Sequence, residues 1–264
     1  MTTIYVADAF ITDKPFSGNP AGICILESWK HNSWMQQVAA EMKHSETAFV
    51  VKNEEGFSLR YFTPTIEIPL CGHATLASAF ILWDEHIVPA TENIVFFAKG
   101  GTLNITKEKD TIHMDFPISE STSVKEIDTN TLDKLKINAS SVYQSNNDFV
   151  YALETEEELK SYKPDFSVIK SLPHRMTIIT AQSSQTGIDF VSRVFAPNAG
   201  IDEDPATGVA HCILGPLWAE RLKKSKLKAF QASQRGAHVE LEIQDNRIQL
   251  SGKVKKVLKG TFYG

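Results

Sequence analysis

Arg60-Tyr61-Phe62-Thr63-Pro64, followed by Cys71-Gly72-His73-Ala74-Thr75, returns in altered form as Arg193-Val194-Phe195-Ala196-Pro197, followed by Asp204-Pro205-Ala206-Thr207-Gly208. Arg60 and Arg193, Phe62 and Phe195, and Pro64 and Pro197 are each 133 residues apart in a chain of 264. Continued without a gap, that offset sets Asp204 opposite Cys71. The two copies share one local grammar. Leu59–Thr63 and Asp189–Ala196 are rich in apolar and β-branched residues and read as strands. A Pro-bearing loop follows each strand. Each loop opens an apolar, alanine-containing helix, expected over about His73–Glu85 and about Pro205–Lys223. A repeat at half the chain length predicts a duplicated fold.

The rest of the pattern extends both copies. Strands are expected at Ile4–Phe10, Gly22–Leu26, Thr47–Lys52, Asn93–Ala98, Leu103–Thr106 and Ile112–Phe116. A helix is expected at about Ser33–Lys43, where Trp34, Val38 and Met42 fall at helical spacing. The second copy offers strands near Ser141–Tyr143, Phe149–Leu153, Met176–Ala181, Lys228–Ala232, His238–Ile243 and Arg247–Leu250. Its further helices are expected near Thr129–Lys136 and Glu156–Ser161. Many short strands with few helices predict an α+β fold. It has two pseudo-symmetric halves, each a curved, mostly antiparallel sheet wrapped around a central helix. The halves are placed at 1–118 and 119–264, with the polar stretch Pro117–Asp128 as linker.

Composition narrows the function. Apolar residues make up 42% and charged residues 22%, and the formal net charge is −5. A mildly acidic chain without a basic arm is a poor partner for nucleic acid. The lysine-rich stretch Arg221–Lys228 reads as a solvated helix end, where cations suit the dipole. No apolar run approaches the ~20 residues that span a bilayer. The N-terminus Met1-Thr2-Thr3-Ile4-Tyr5-Val6 lacks the charge and apolar pattern of a signal peptide. A cytoplasmic protein is the expectation. Three widely spaced cysteines, Cys24, Cys71 and Cys212, fit neither a disulfide framework nor a zinc site. No GxGxxG, Walker, HExxH or GxSxG pattern occurs, so no nucleotide, metal or flavin cofactor is expected.

The repeated helix starts are the first candidates for chemistry. A helix N-terminus presents unpaired N–H groups and partial positive charge, which attract a carboxylate. Gly72 in one copy and Thr207-Gly208 in the other let backbone approach a ligand closely. Two such ends facing one cleft would hold a small anionic molecule. Asp204 before Pro205 also reads as a plain N-cap with proline at the first helical position. His73 reads as a neutral hydrogen-bond partner, a general acid or a core residue. Cys71 at a helix start reads as an activated thiolate; its offset mate is Asp204, so a two-thiol racemase is not available. Glu46, in His44-Ser45-Glu46-Thr47-Ala48-Phe49-Val50, stands between a helix and an apolar strand. A carboxyl facing an apolar interior suits proton transfer near neutrality. Its offset mate is Ile179, so this acid belongs to one half only.

At these residues the chain resembles the phenazine-biosynthesis PhzF-like family, which shares its duplicated fold with diaminopimelate epimerase. The matching blocks run nearly end to end. They are Val6–Phe10 with Gly18-Asn19-Pro20-Ala21, Ser45–Phe49, Leu59–Pro64, Leu70–Thr75, Phe195–Pro197, Glu203–Gly208 and Ser233-Gln234-Arg235-Gly236. The resemblance implies that Glu46 moves a proton, as the family glutamate does on trans-2,3-dihydro-3-hydroxyanthranilate. It implies substrate bonding or proton relay for His73 and Asp204, and a cofactor-free, cytoplasmic homodimer. Where the phenazine enzyme has a site serine just after Thr-Gly, this chain has Val209. Loss of that hydroxyl points away from the phenazine substrate itself. The expected function is a cofactor-independent isomerase acting on a small carboxylate. The rivals are a catalytically idle scaffold, for which Glu46 should face outward, and an amino-acid racemase with Asp204 as second base.

Overall fold

The computed structural model describes residues 1–126 and 128–264. The chain forms two compact units, Met1–Phe116 with Gln249–Gly264, and Pro117–Ile248. The first contains β1 (Thr2–Ala9), β2 (Asn19–Leu26), α1 (Asn32–Met42), β3 (Glu46–Lys52), β4 (Phe57–Phe62), β5 (Glu67–Ile68), α2 (Gly72–Asp84), β6 (Ile94–Ala98), β7 (Gly101–Glu108) and β8 (Thr111–Pro117). The second contains β9 (Thr122–Ser123), α3 (Thr129–Leu135), β10 (Ala139–Ser145), β11 (Asp148–Leu153), α4 (Glu156–Ser161), α5 (Phe166–Ser171), β12 (Met176–Gln182), β13 (Phe190–Ala196), β14 (Ile201–Asp204), α6 (Gly208–Leu222), β15 (Lys226–Gln231) and β16 (Ala237–Gln244). β17 (Arg247–Gly252) runs from the second unit into the first, and β18 (Val254–Phe262) closes the chain.

The two units are wired alike. In the first, β1 pairs antiparallel with β2, β2 parallel with β3, and β3 antiparallel with β4. β4 then pairs antiparallel with β5 and parallel with β6, which pairs antiparallel with β7. In the second, β10, β11, β12, β13, β14, β15 and β16 repeat every one of these pairings in the same order. A parallel pair needs a crossover; α1 supplies it between β2 and β3, and α4 with α5 between β11 and β12. The apolar helices α2 and α6 are buried around nearly their whole circumference, as helices without a polar face must be. α2 packs on β1, β2, β3 and β18, and α6 on β15 and β16.

Strand register corrects the ungapped alignment. The offset of 133 holds from β4 to β13, but beyond the hairpin it is 136. Tyr61 pairs with Ile68 where Val194 pairs with Asp204, and α2 starts at Gly72 where α6 starts at Gly208. The longer second hairpin carries a 3₁₀ turn, Pro197–Ala199, ending at Gly200 with φ of 84°. The mate of Asp204 is therefore Ile68, that of Cys71 is Thr207, and that of His73 is Val209. In the same way Thr47 pairs with Phe62 where Thr177 pairs with Phe195. Glu46 is thus matched by Met176 rather than Ile179. Again the mate carries no acid.

Three further expectations change. α6 begins at Gly208, not Pro205, and Asp204 ends β14 instead of capping the helix; the cap is Thr207. The stretch 117–128 is strapped down rather than a free linker. β9 pairs with β10, and Ile118, Ser119 and Val124 donate to Asn246, Cys212 and Val142 carbonyls. Within it, Ile127 lies outside the described residues. Finally, the halves placed at 1–118 and 119–264 miss the return of the chain. β18 pairs with β1 along its length and so joins the first unit.

Candidate active site

Within the first unit the chain gathers Glu46, His73, Cys71 and Asn19. α1 ends in a left-handed residue, Lys43, with φ of 54°. His44 and Ser45 then turn the chain into β3, whose first residue is Glu46, in register with Ala21 of β2. Glu46 is only 7% exposed. His73, the second residue of α2, is 2% exposed, and its Nε2 lies 3.3 Å from Glu46 Oε2. This contact is off the line of a well-aligned hydrogen bond. On the other side of the ring, His73 Nδ1 lies 3.1 Å from Asn19 Nδ2 and 3.4 Å from Cys71 Sγ.

The start of α2 is held from behind. Thr75 donates to the Cys71 carbonyl through its N–H, at 3.1 Å, and through Oγ1, at 2.6 Å. Tyr61 Oη sits 2.6 Å from that Thr75 oxygen and donates to it. Burial, reinforced by the nearby charge of His44, pulls the His73 pKa down to about 3. The imidazole is therefore neutral at physiological pH. A neutral ring supplies no cation to hold a thiolate at Cys71.

Within the second unit the candidates Asp204, Thr207 and Gly208 also come together. Thr207 Oγ1 donates to Asp204 Oδ2 at 2.5 Å. Gln231, fully buried at the end of β15, clamps this loop. Its Nε2 donates to the Asp204 carbonyl at 2.7 Å and to Thr207 Oγ1 at 3.2 Å, and its Oε1 accepts from Thr207 N at 2.8 Å. Ser233 Oγ donates to the Pro205 carbonyl at 2.9 Å. His211, one turn into α6, bonds the Thr207 carbonyl through Nδ1 at 2.8 Å. It does there what its repeat mate Thr75 does in the first unit. Burial pulls the His211 pKa to about 4, and the bond to Thr207 opposes that only in part.

Asn19, Gln231 and His211 were not singled out from the sequence as site residues. Asn19 had a signal, since it follows Gly18, whose φ is 76° and whose added Cβ would run into the Ala9 carbonyl. Gln231 and His211 had none in motif or offset.

Glu46, Cys71 and His73 present ligand atoms within 4.8 Å of one another. Their arrangement suits proton relay better than chelation. Cys71 addresses Nδ1 of the imidazole and Glu46 addresses Nε2. One ion can take only one ring nitrogen, so a three-ligand set would require the ring or a partner to move.

The duplicated α+β fold places the chain among the PhzF-like and epimerase-like folds. The fold alone is shared with a predicted epimerase of Pseudomonas aeruginosa, 17% identical, TM-score 0.76, covering all of both chains. Residues 7–260 match the model of the phenazine biosynthesis-like (PhzC-PhzF) family, and the chain belongs to that family. It is 42% identical to an uncharacterized isomerase of Halalkalibacterium halodurans, over 98% of this chain and 97% of that one. A PhzF-family crystal structure from Enterococcus faecalis, 38% identical, matches with a TM-score of 0.93 over 99% of both chains. No helix among the described residues is long and apolar enough to cross a membrane.

Proposed function

We propose that this chain is an isomerase that moves one proton on a small carboxylate-bearing substrate, with Glu46 as the acid/base. The observation that carries this reading is the burial of Glu46 beside a neutral histidine. A surface glutamate at a strand start would be solvated, as the scaffold reading requires. The name isomerase on a relative 42% identical supports the same class.

In the proposed step the Glu46 carboxylate takes a proton from a carbon next to an electron-withdrawing group. The C–H electron pair delocalises into that group. Glu46, now a carboxylic acid, returns the proton to a different carbon and is restored. No other reactant is consumed. His73 faces the carboxylate as a neutral partner, which leaves Glu46 more basic than an imidazolium would. Gly72 and the N–H groups opening α2 suit a substrate carboxylate. Asp204, Thr207 and Gly208 are proposed as substrate-bonding groups. Val209 stands at the repeat position of His73, so the second unit offers an alkyl group where the first offers a ring nitrogen.

The test is hydrogen exchange in D₂O with small unsaturated and α-amino carboxylates, read by mass spectrometry. Deuterium uptake should fall about 10²–10⁴-fold or more in Glu46→Gln, with the fold unchanged by circular dichroism. Uptake at the parent rate would exclude Glu46 as the proton carrier. Epimerised α-amino acid would support the racemase reading instead.

A further inference from the structure

We propose that Asn19 is a positioning residue that fixes His73 as the Nε2–H tautomer, so that the ring N–H, not a lone pair, lies on the side of Glu46. This rests on the reading of Glu46 as acid/base, but the tautomer itself is a property of the resting protein.

The argument starts at the turn before β2. Gly18 adopts a left-handed conformation that places Asn19 opposite Ala9 of β1. Asn19 is completely buried, and its Nδ2 lies 3.1 Å from His73 Nδ1. An amide nitrogen only donates. A neutral imidazole has one accepting and one donating nitrogen. With the amide nitrogen placed toward the ring, Nδ1 is the acceptor, which assigns the ring proton to Nε2, 3.3 Å from Glu46 Oε2. Cys71 is compatible with this assignment, because a thiol at 3.4 Å from Nδ1 can point its own proton at the same lone pair. Nothing at Nδ1 requires a hydrogen there.

The consequence reaches Glu46. A ring N–H on this side turns the positive end of its dipole toward the carboxylate, 3.3 Å away. The opposite tautomer would turn a lone pair toward the carboxylate. Asn19 thus sets which end of the imidazole dipole Glu46 meets when substrate arrives, although it need not touch the substrate.

The experiment reads the ring nitrogens directly. Protein labelled with ¹⁵N-histidine is examined by long-range ¹H–¹⁵N correlation between pH 5 and 8, with His73 assigned by its loss in His73→Asn. The expected spectrum shows Nε2 as a protonated nitrogen and Nδ1 as an unprotonated one across this range. In Asn19→Asp the new carboxylate should draw a proton onto Nδ1, so that both nitrogens read as protonated at pH 7. In Asn19→Ala the two tautomers should mix. A protonated Nδ1 in the parent protein would overturn the proposal. So would an unchanged His73 pattern in either variant. If one variant fails to fold, the other and the parent spectrum still decide. Failure of the Glu46 reading would show as exchange surviving in Glu46→Gln while the His73 pattern stands.

Discussion

At the scale of single residues, Gln231 shows how much one buried side chain can hold. Its amide satisfies a backbone N–H, a backbone carbonyl and a hydroxyl, all within Asp204–Thr207. Replacing it with leucine keeps the volume and strands the Thr207 N–H and the Asp204 carbonyl. A buried polar group left without its partner costs about 1–3 kcal/mol. Gln231→Leu should therefore lower stability by about 2–4 kcal/mol in urea titration, and reduce deuterium exchange as Asp204 loses its seat. A loss well under 1 kcal/mol would mean that the loop holds its shape without the clamp. The same scale limits what sequence can reveal. Asn19 and His73 meet across a separation of 54 residues, and only the paired strands bring them together. Their types were readable and their contact was not.

At the scale of elements, the repeated arginine is a staple on each hairpin. Arg60 grips Glu67 in a bidentate pair at 2.7 and 2.8 Å, tying β4 to β5. Arg193 grips Glu203 at 2.7 and 2.9 Å, tying β13 to β14. Both guanidinium groups lie 5.2 Å from the ring of the repeat phenylalanine, Phe62 or Phe195. The environments differ. The Arg60 side chain is 24% exposed, while that of Arg193 is 10% exposed and also donates to the Leu159 and Tyr162 carbonyls. A half-exposed pair contributes ~1 kcal/mol or less, whereas breaking a buried pair costs about 3–5 kcal/mol. Arg193→Met should therefore destabilise by about 3 kcal/mol, and Arg60→Met by about 1 kcal/mol, in parallel denaturant titrations. Equal losses would contradict the burial argument. These staples explain why the duplication was legible, since arginine, phenylalanine and proline recur at fixed spacing. The longer second hairpin was not legible, because the match in β4 and β13 runs on plausibly into the wrong register. β18 was missed for another reason. Its Lys255, Lys256 and Lys259 break the apolar alternation that marks a strand. Two of those lysines are placed by tertiary contacts, Lys256 on Asp84 and Glu85 and Lys259 on Glu85, at the far end of α2.

At the scale of the whole molecule, buried neutral histidines make the protein sensitive to mild acid. Burial pulls His73 to about 3, and His174 and His211 to about 4. In the unfolded chain each titrates near 6.5. Above pH 7 neither state binds these protons, and they leave stability unchanged. As pH falls through 6.5 the unfolded chain takes up protons that the folded chain refuses. Stability therefore drops steadily until the folded pKa values are reached. Each fully buried histidine contributes a slope of about 1.4 kcal/mol per pH unit, so His73 and His211 together give close to 3 kcal/mol per unit near pH 5. His174, stacked on Phe149 at 4.0 Å, adds in the same direction. Glu85 and Glu156, both lowered to about 2, act later. Hydrogen bonds from Lys256 and Lys259 hold Glu85 down. At Glu156 burial works upward, but bonds from Lys160, Ser184 and Gln185 outweigh it. Both carboxylates lose their stabilising contribution only as pH falls below the ordinary range near 4.5. The urea midpoint should therefore be flat from pH 8 to 7 and fall from pH 6.5 downward, well before the carboxylates titrate. His211→Gln should reduce the slope between pH 6 and 5 by one proton, read from the pH dependence of the unfolding free energy. A midpoint that stays level to pH 5 would show that these rings admit protons in the folded state, and His73 could then not stand beside Glu46 as a neutral group.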